Sequence, residues 1–198
     1  MRTNGVMHFR RQAVAVLAFT LLGLGPAVPA PLPRTSPDFS INPPTPVGGK
    51  TTMLSSFKGK VVVLEFLFVK SQHCMRVART LNTLQAELGP RGFQSIAIAF
   101  DAPNAAATGG EMLNSMIDYL GLTYPVGYAS RANVDRYLGR SGSEMLSIPQ
   151  VVVIDRTGTI RAATGGGPNP GLEDANSLRT LLEPLLKESG PQSGKTKP

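Results

Sequence analysis

The residues of this chain with the clearest capacity for chemistry lie in one short stretch, FVKSQHCMR, at positions 68–76. Cys74 is the single cysteine of the 198-residue chain, so any disulfide that it forms must be with another molecule. His73 precedes it, and the other histidine, His8, lies in the amino-terminal segment. One cysteine and one histidine cannot make a closed zinc site or a triad supported by several side chains. The sequence therefore predicts the chemistry of one thiol, with no metal and no cofactor.

Ser71 and the residues after it predict that this thiol lies in the first turn of a helix. The serine hydroxyl favours a helix N-cap, because it can accept from backbone N–H groups two or three residues further on. A thiol at a helix amino terminus meets the positive end of the helix dipole, which favours the thiolate. Lys70 and His73 add positive charge nearby. We therefore expect Cys74 to act as a nucleophile.

Two long apolar runs, GKVVVLEFLF and FQSIAIAF, predict buried strands. Both are too continuous for strands with one face in water, which indicates a sheet covered on both faces. Between them, apolar residues at helical spacing predict a helix that begins after Ser71 and stops at Gly89-Pro90. The face that this helix buries consists of Val77, Ala78, Leu81, Leu84 and Leu88.

The second half of the chain continues the alternation of helices and strands. TYPVGYA predicts a short strand, ANVDRYLG a short helix, and QVVVIDRTGTIRAAT a β-hairpin that turns at residues 155–158. Two further helices are predicted, one ending at Gly121 and one kinked or restarted at Pro184. Their predicted buried faces consist of Met112, Met116, Ile117 and Leu120, and of Leu178, Leu181, Leu182 and Leu185. This order predicts an α/β fold with a central mixed β-sheet flanked by helices on both faces.

The first thirty residues are typical of an export signal. Three arginines precede the apolar run AVAVLAFTLLGLG, and small residues follow it. Cleavage after Ala30 would start the mature protein at Pro31; cleavage after Ala27, or retention as a membrane anchor, are the alternatives. The run is short for a spanning helix, which needs about twenty apolar residues. We expect an exported protein, periplasmic or extracellular, that contacts a membrane only if this segment is not removed.

The rest of the chain predicts one domain with two tails. Hydrophobic residues make up 41% of the chain and charged residues 17%, which is typical of a globular protein. Residues 31–47 are rich in Pro, Ser and Thr and predict a linker with one short strand near 38–41. Residues 48–187 form the predicted domain, and residues 188–198 a polar, disordered tail.

The net charge gives little support for a nucleic-acid partner. The formal charge is +7, but three of the positive charges belong to the signal-like segment, which leaves +4. No basic stripe interleaved with aromatic residues is evident, so we expect no nucleic-acid binding.

Several ordered motifs give the chain a family resemblance: PDFS, SSFKGKVVVLEF, SQHC, TYPV and SIPQVVVIDRTGTI. Over residues 37–186 the chain resembles the thioredoxin-like superfamily, and within it the exported TlpA-like and AhpC/TSA-type redoxins. The resemblance implies a thioredoxin-like fold, thiol-based redox activity, and a thiol or disulfide protein as partner. It also implies that Pro149 is a cis-proline that faces the active site.

The active-site motif departs from the family pattern. Lys70 stands where the family has a tryptophan, and Ser71 where it has the first, attacking cysteine of CxxC. Cys74 occupies the second, less accessible position, so exchange by a dithiol pair is excluded. Glu65, nine residues before Cys74, matches the buried acidic residue that thioredoxins use as a proton acceptor.

The pattern SxxC also resembles the TxxC of peroxiredoxins, where a hydroxyl supports a cysteine that attacks peroxide to give a sulfenic acid. That family has a proline four residues before the threonine, where this chain has Leu67.

Two functions follow. The leading hypothesis is an exported redox protein in which Cys74 alone forms a mixed disulfide with a partner, or reduces peroxide with an external reductant. Ser71 and Glu65 would support the thiol, and His73, Lys70 and Pro149 would surround it. The alternative is a catalytically inactive binding module. In that case Cys74 is a small buried hydrophobic residue, and His73 is a solvated residue on the helix surface. Glu65 then points to the sheet edge or pairs with a lysine.

Overall fold

The computed structural model describes residues 31–44, 50–100, 110–142, 145–164 and 171–190. The signal-like segment and most of the predicted carboxyl-terminal tail lie outside these residues. None of the helices in the described part of the chain is long and apolar enough to span a membrane.

Within those residues the chain forms eight strands and four α-helices. The strands are β1 (Arg34–Thr35), β2 (Ser40–Ile41), β3 (Thr52–Met53), β4 (Val61–Leu67), β5 (Phe93–Ala99), β6 (Val126–Tyr128), β7 (Gln150–Ile154) and β8 (Thr159–Ala163). The helices are α1 (Gln72–Leu88), α2 (Gly110–Leu120), α3 (Arg131–Leu138) and α4 (Ala175–Lys187). Short 3₁₀ turns follow β3 and α1.

Six of the strands form one mixed sheet in the order β1-β8-β7-β4-β5-β6. The neighbours β4, β5 and β6 run parallel, because α1 and α2 connect them as crossovers. Strand β7 runs antiparallel to β4, and β7 and β8 form an antiparallel hairpin, as the turn at 155–158 predicted. Strands β2 and β3 form a separate antiparallel pair. The architecture confirms the predicted thioredoxin-like α/β fold.

All seven residues of β4 are buried, which confirms a central strand covered on both faces. Val61, Val63 and Leu67 face the core cluster that contains the buried residues of α1, α2 and α4. The alternate residues face the cluster built around α3 and the amino-terminal segment. The register of β4 therefore decides which of its side chains lie under α1.

The structure differs from the linker predicted at residues 31–47. Strand β2 lies within the predicted 38–41 segment, but β1 also pairs with β8 at the edge of the main sheet. Phe39 is buried, and its ring lies 5.6 Å from that of Phe66 and 5.4 Å from that of Tyr137, centroid to centroid. Residues 31–44, whose composition favoured a linker, are therefore part of the folded domain and complete the core cluster around α3. We call this segment the amino-terminal strap.

Two helix details also differ from the prediction. Met112 is 37% exposed, whereas Leu113, which was not predicted to be buried, is 1% exposed. The buried face of α2 starts at Gly110 and follows the i, i+3, i+6 positions, which moves residue 112 to the solvent side. Helix α4 runs through Pro184 as one continuous segment.

We predict that Gly127→Ala will destabilise the domain by about 1–3 kcal/mol, because a Cβ there would approach the backbone oxygen of Asn42 to 2.6 Å. Gly142→Ala is the matched control, since a Cβ there would come no nearer than 3.8 Å to a side-chain oxygen of Asp135. Urea unfolding monitored by circular dichroism measures both. Equal midpoints for the two variants would mean that the strap does not pack against β6.

Candidate active site

The first turn of α1 is built on Ser71, as the sequence predicted. Ser71 has extended backbone angles, φ −81° and ψ 116°, and its Oγ accepts a hydrogen bond from the backbone N–H of Cys74 at 3.3 Å. Its carbonyl oxygen accepts from the N–H of Met75 at 3.0 Å. The hydroxyl therefore contacts the backbone of the residue that carries the thiol, and the role that the structure shows for Ser71 is that of a helix N-cap.

Cys74 lies inside the protein, with 0% of its surface exposed. It packs in the core cluster of α1, α2 and α4 together with apolar side chains such as Val69 and Leu172. A protein disulfide cannot reach the sulfur in this conformation. Any reaction of the thiol requires an opening of the first turn of α1 or entry of a small molecule.

Glu65 is the most unusual group of the site. It is 0% exposed, and neither carboxyl oxygen has a hydrogen-bond partner. Its place between Val63 and Leu67 puts it on the face of β4 that packs against the Cys74 cluster. The alternative of an edge position or a lysine pair is wrong, because β4 lies between β5 and β7 and the carboxyl is unpaired.

The environment of Glu65 favours its acid form. Burial raises the pKa of this carboxyl well above the ordinary value, and the negative charge of Glu173 raises it further. The group therefore keeps its proton over a pH range in which an exposed glutamate is ionised. A buried acid on the same face of the sheet as a thiol is a candidate for proton exchange with the sulfur or with a bound oxidant.

Tyr124 is a second buried group beside this carboxyl, and the sequence analysis missed it. Its hydroxyl donates to the carbonyl oxygen of Ala78, one turn after Cys74, at 3.2 Å. Burial raises the pKa of Tyr124, and the nearby Glu65 adds to the effect. The sequence predicts a short strand for TYPVGYA and a family motif in TYPV, and neither pattern indicates a contact between Tyr124 and α1.

His73 lies at the surface and pairs with Glu173. Its Nε2 lies 2.6 Å from Oε2 of Glu173, and the two side chains are 44% and 31% exposed. Glu173 was also missed, because it lies one hundred residues further along the chain and only the tertiary structure brings it to α1.

Lys70 and Pro149 lie near the same end of the sheet. Lys70 is exposed and lines an open groove of about 490 Å³ between α1 and α2, together with Met75 and Tyr119. Pro149 is buried, and its peptide bond with Ile148 is cis, as the resemblance implied. It directly precedes Gln150, the register partner of Phe66 near the carboxyl end of β4.

Other cavities and clusters contribute nothing to this site. A cavity of about 200 Å³ lies against the opposite ends of β4 and β7, lined in part by Lys58, Lys60 and Asp155. Among the described residues, no group of three or more His, Cys, Asp or Glu side chains is arranged to hold a metal ion.

Comparison with known families assigns this architecture. The Redoxin family matches residues 32–182, which include both the amino-terminal strap and the Cys74 turn. The chain belongs to the Redoxin family. Among curated proteins, none matches its sequence.

Solved structures support the fold of this redoxin. A thiol:disulfide interchange protein of the thioredoxin family from Chlorobium tepidum TLS is 21% identical, with a TM-score of 0.62 over 78% of this chain and 97% of that one. A thiol:disulfide interchange protein from a Bacteroides species is 17% identical, with a TM-score of 0.59 over 83% and 94%. The thioredoxin domain of a thiol-disulfide oxidoreductase from Bacteroides vulgatus is 18% identical, with a TM-score of 0.57 over 75% and 95%. At these identities the similarity shows a shared fold.

We predict that Ser71→Ala will cost about 1 kcal/mol and will speed alkylation of Cys74 in the folded protein about fivefold, because an uncapped first turn opens more often. Ser130→Ala is the matched control, since Ser130 caps α3 with the same geometry, accepting from the N–H of Asn133 at 3.3 Å. It should cost as much stability and leave the alkylation rate unchanged. Equal alkylation rates in both variants would show that the cap does not control access to the thiol.

We predict that stability will fall with rising pH because of Glu65. Its pKa is raised in the folded state, so its contribution is fully present below the pKa of the unfolded chain, about 4.3, and is lost as pH rises toward the folded value. Glu65→Gln removes this dependence, whereas the exposed Glu111→Gln retains it. Urea midpoints measured from pH 4 upward test the difference. Parallel curves for wild type and Glu65→Gln would contradict it.

Proposed function

We propose that this redoxin is an exported thiol protein that works through Cys74 alone. The observation that carries the proposal is the unpaired, buried carboxyl of Glu65 on the face of β4 that supports the Cys74 turn. Such a group lowers the stability of the fold, since burying a polar group without a hydrogen-bond partner costs about 2–7 kcal/mol. Proton exchange with the thiol or its oxidant is a function that accounts for the cost.

In this proposal each side chain of the site has a role. Cys74 is the nucleophile, and the amino terminus of α1, which Ser71 caps through the backbone N–H of Cys74, stabilises its thiolate. Glu65 holds or gives the proton. Pro149 shapes the surface that a partner meets, and Lys70 and His73 supply charge around it.

The burial of Cys74 favours a small oxidant as the first reactant. In that step the sulfur attacks one oxygen of a hydroperoxide, the O–O bond breaks, and Cys–SH + ROOH gives Cys–SOH + ROH. The sulfur is oxidised by two electrons, and the acid form of Glu65 is suited to protonating the leaving oxygen.

An external thiol completes the cycle. It condenses with the sulfenic acid to give a mixed disulfide and water, and a second thiol releases Cys74 with formation of an external disulfide. A protein partner with a thiol or disulfide, as the names of the similar structures suggest, would enter at the mixed disulfide. Ser71 excludes an internal resolving step by a dithiol pair.

Export is part of the proposal and is supported by the sequence. Three arginines followed by an apolar run and small residues are typical of a signal peptide in residues 1–30. The protein would then meet oxidants and partners outside the cytoplasm, either released or held by the uncleaved segment.

A second candidate function is a binding module without redox chemistry. The complete burial of Cys74 favours it, because a core thiol needs no reactivity to be retained in the fold. In this case a partner would be recognised through the surface around Pro149 and Lys70, whether or not Cys74 is present.

We predict that folded wild-type protein will react with hydrogen peroxide at Cys74 faster than the same protein unfolded in urea. Mass spectrometry would follow the gain of one oxygen atom, trapped with a sulfenic-acid reagent, and its reversal by an added thiol. Cys74→Ser is the control for other oxidations. Glu65→Gln should slow the folded reaction at least about tenfold, because it removes the proton-transfer group.

The opposite result would favour the binding module over the redox protein. A folded protein that reacts more slowly than the unfolded one, with a rate unaffected by Glu65→Gln, would show that Cys74 is a core residue and overturn the redox proposal.

A further inference from the structure

An aromatic pair lies where the two central parallel strands end. Phe68 directly follows β4, and Phe100 directly follows β5. Because parallel neighbours end at the same edge of a sheet, the two rings meet there, with 4.8 Å between their centroids and 57° between their planes. A backbone hydrogen bond of 3.3 Å, from the N–H of Phe100 to the carbonyl oxygen of Leu67, joins the same two strand ends. The ring pair is a favourable contact, and the chemistry proposed above gives it no role.

Phe68 also begins the turn that leads to Cys74. Its ring packs against the core cluster around α3, whereas Val69 and Cys74 belong to the core cluster of α1, α2 and α4. The chain therefore crosses from one face of the sheet to the other within this turn. The carbonyl oxygen of Phe68 accepts from the N–H of Ser71 at 3.1 Å, and Ser71 in turn caps the N–H of Cys74. Contacts that hold the ring of Phe68 on the α3 face thus also hold the start of α1.

Arg131, the first residue of α3, contacts this pair through Phe100. Its guanidinium carbon lies 6.0 Å from the centroid of the Phe100 ring. Its Nε donates to Oδ2 of the buried Asp135, one turn further along α3, at 2.8 Å. Ala129, just before the N-cap of α3, donates its N–H to the carbonyl oxygen of Ala99 at 2.9 Å, which ties the start of the helix to the end of β5. The guanidinium is therefore held in place beside the aromatic pair.

This contact depends on the shape of the guanidinium more than on its charge. The carboxylate of Asp135 offsets the positive charge of Arg131, which weakens the electrostatic attraction to the ring. A planar guanidinium can still stack on an aromatic face, whereas a lysine ammonium cannot. Removing the planar group while keeping the charge should therefore loosen Phe100 and, with it, the ring of Phe68.

We propose that Arg131 is a positioning residue of the Cys74 site. By packing on Phe100 it keeps the ring of Phe68 on the α3 face, and so keeps the turn before the Ser71 cap in its closed form. It thereby sets how often Cys74 becomes accessible to a reactant. The proposal rests on the function proposed above only in taking Cys74 as the reacting group.

The experiment measures alkylation of Cys74 by iodoacetamide in the folded full-length protein. Arg131→Lys leaves Asp135 with a cation as partner but removes the planar group. We expect it to speed alkylation about two- to fivefold, the effect of losing one exposed contact between a cation and a ring. Hydrogen exchange of the backbone amides at 71–75 should rise with it, whereas exchange in β7 and β8 should not. Urea midpoints of every variant separate this local opening from a loss of global stability.

Arg79→Lys is the matched control, because the guanidinium carbon of Arg79 lies 5.5 Å from the ring centroid of Tyr119. It makes the same substitution at the same type of contact, on α1 itself but away from the turn that begins at Phe68. Alkylation of Cys74 should stay at the wild-type rate. An unchanged rate in Arg131→Lys, or an equal increase in Arg79→Lys, would overturn the proposal.

A double-mutant cycle with Phe100→Leu tests the route through the ring. Phe100→Leu alone should speed alkylation at least as much as Arg131→Lys, because it removes both the ring pair and the guanidinium contact. If Arg131 acts through Phe100, the double variant reacts no faster than Phe100→Leu alone. Effects that multiply in the double variant would show that Arg131 acts by another route, and would also overturn the proposal.

These measurements are independent of the redox function. Alkylation and hydrogen exchange report access to Cys74 without any peroxide or partner. Faster alkylation in Arg131→Lys, together with a thiol inert to peroxide, would support the role of Arg131 and sink the redox function. Unchanged alkylation with a thiol that reacts with peroxide would do the reverse.

Discussion

The unpaired carboxyl of Glu65 is the constraint around which the active end of this redoxin is organised. The central strand β4 places every side chain in the core, and one of its seven residues is an acid with no hydrogen-bond partner. Apolar packing alone gives no reason for that residue, because a leucine or valine would fill the same layer without the cost of burying a polar group. The core stays intact because the carboxyl is kept neutral, and its neighbours favour that state.

Access to the thiol is the second constraint, and it follows from the way α1 begins. Ser71 closes the first turn with a hydrogen bond to the N–H of Cys74, and this closed turn holds the sulfur inside the core cluster. The feature that orients the thiol at the helix amino terminus also hides it. A protein partner could therefore reach Cys74 only after local opening of α1, whose first turn is held by the Ser71 cap and carries the ion pair of His73 with Glu173.

The amino-terminal strap shows how composition and tertiary structure can lead to different conclusions. Its prolines and small polar residues are typical of a linker, yet β1 extends the sheet and Phe39 packs between Phe66 and Tyr137. The Redoxin match includes most of this segment, in agreement with its place in the fold. A few apolar side chains among prolines and polar residues, such as Phe39 and Ile41, are a weak local indication of folded structure. Their burial becomes clear only when the core cluster that they cover is seen.

The sequence by itself determined most of the helices and strands and limited the disulfide chemistry open to the chain. Continuous apolar runs can be stable only in a covered sheet, helical spacing assigned the buried face of α1, and Ser71 before a helix predicted the cap that the structure contains. The single cysteine limits disulfide formation to bonds with other molecules, whatever the fold. Tertiary structure alone decided that Cys74 is wholly inaccessible, that the carboxyl of Glu65 has no hydrogen-bond partner, that Tyr124 bonds to Ala78 of α1, and that Glu173 pairs with His73. These properties depend on contacts between residues many positions apart, and the periodicity of a local segment contains no information about which distant side chain will face it.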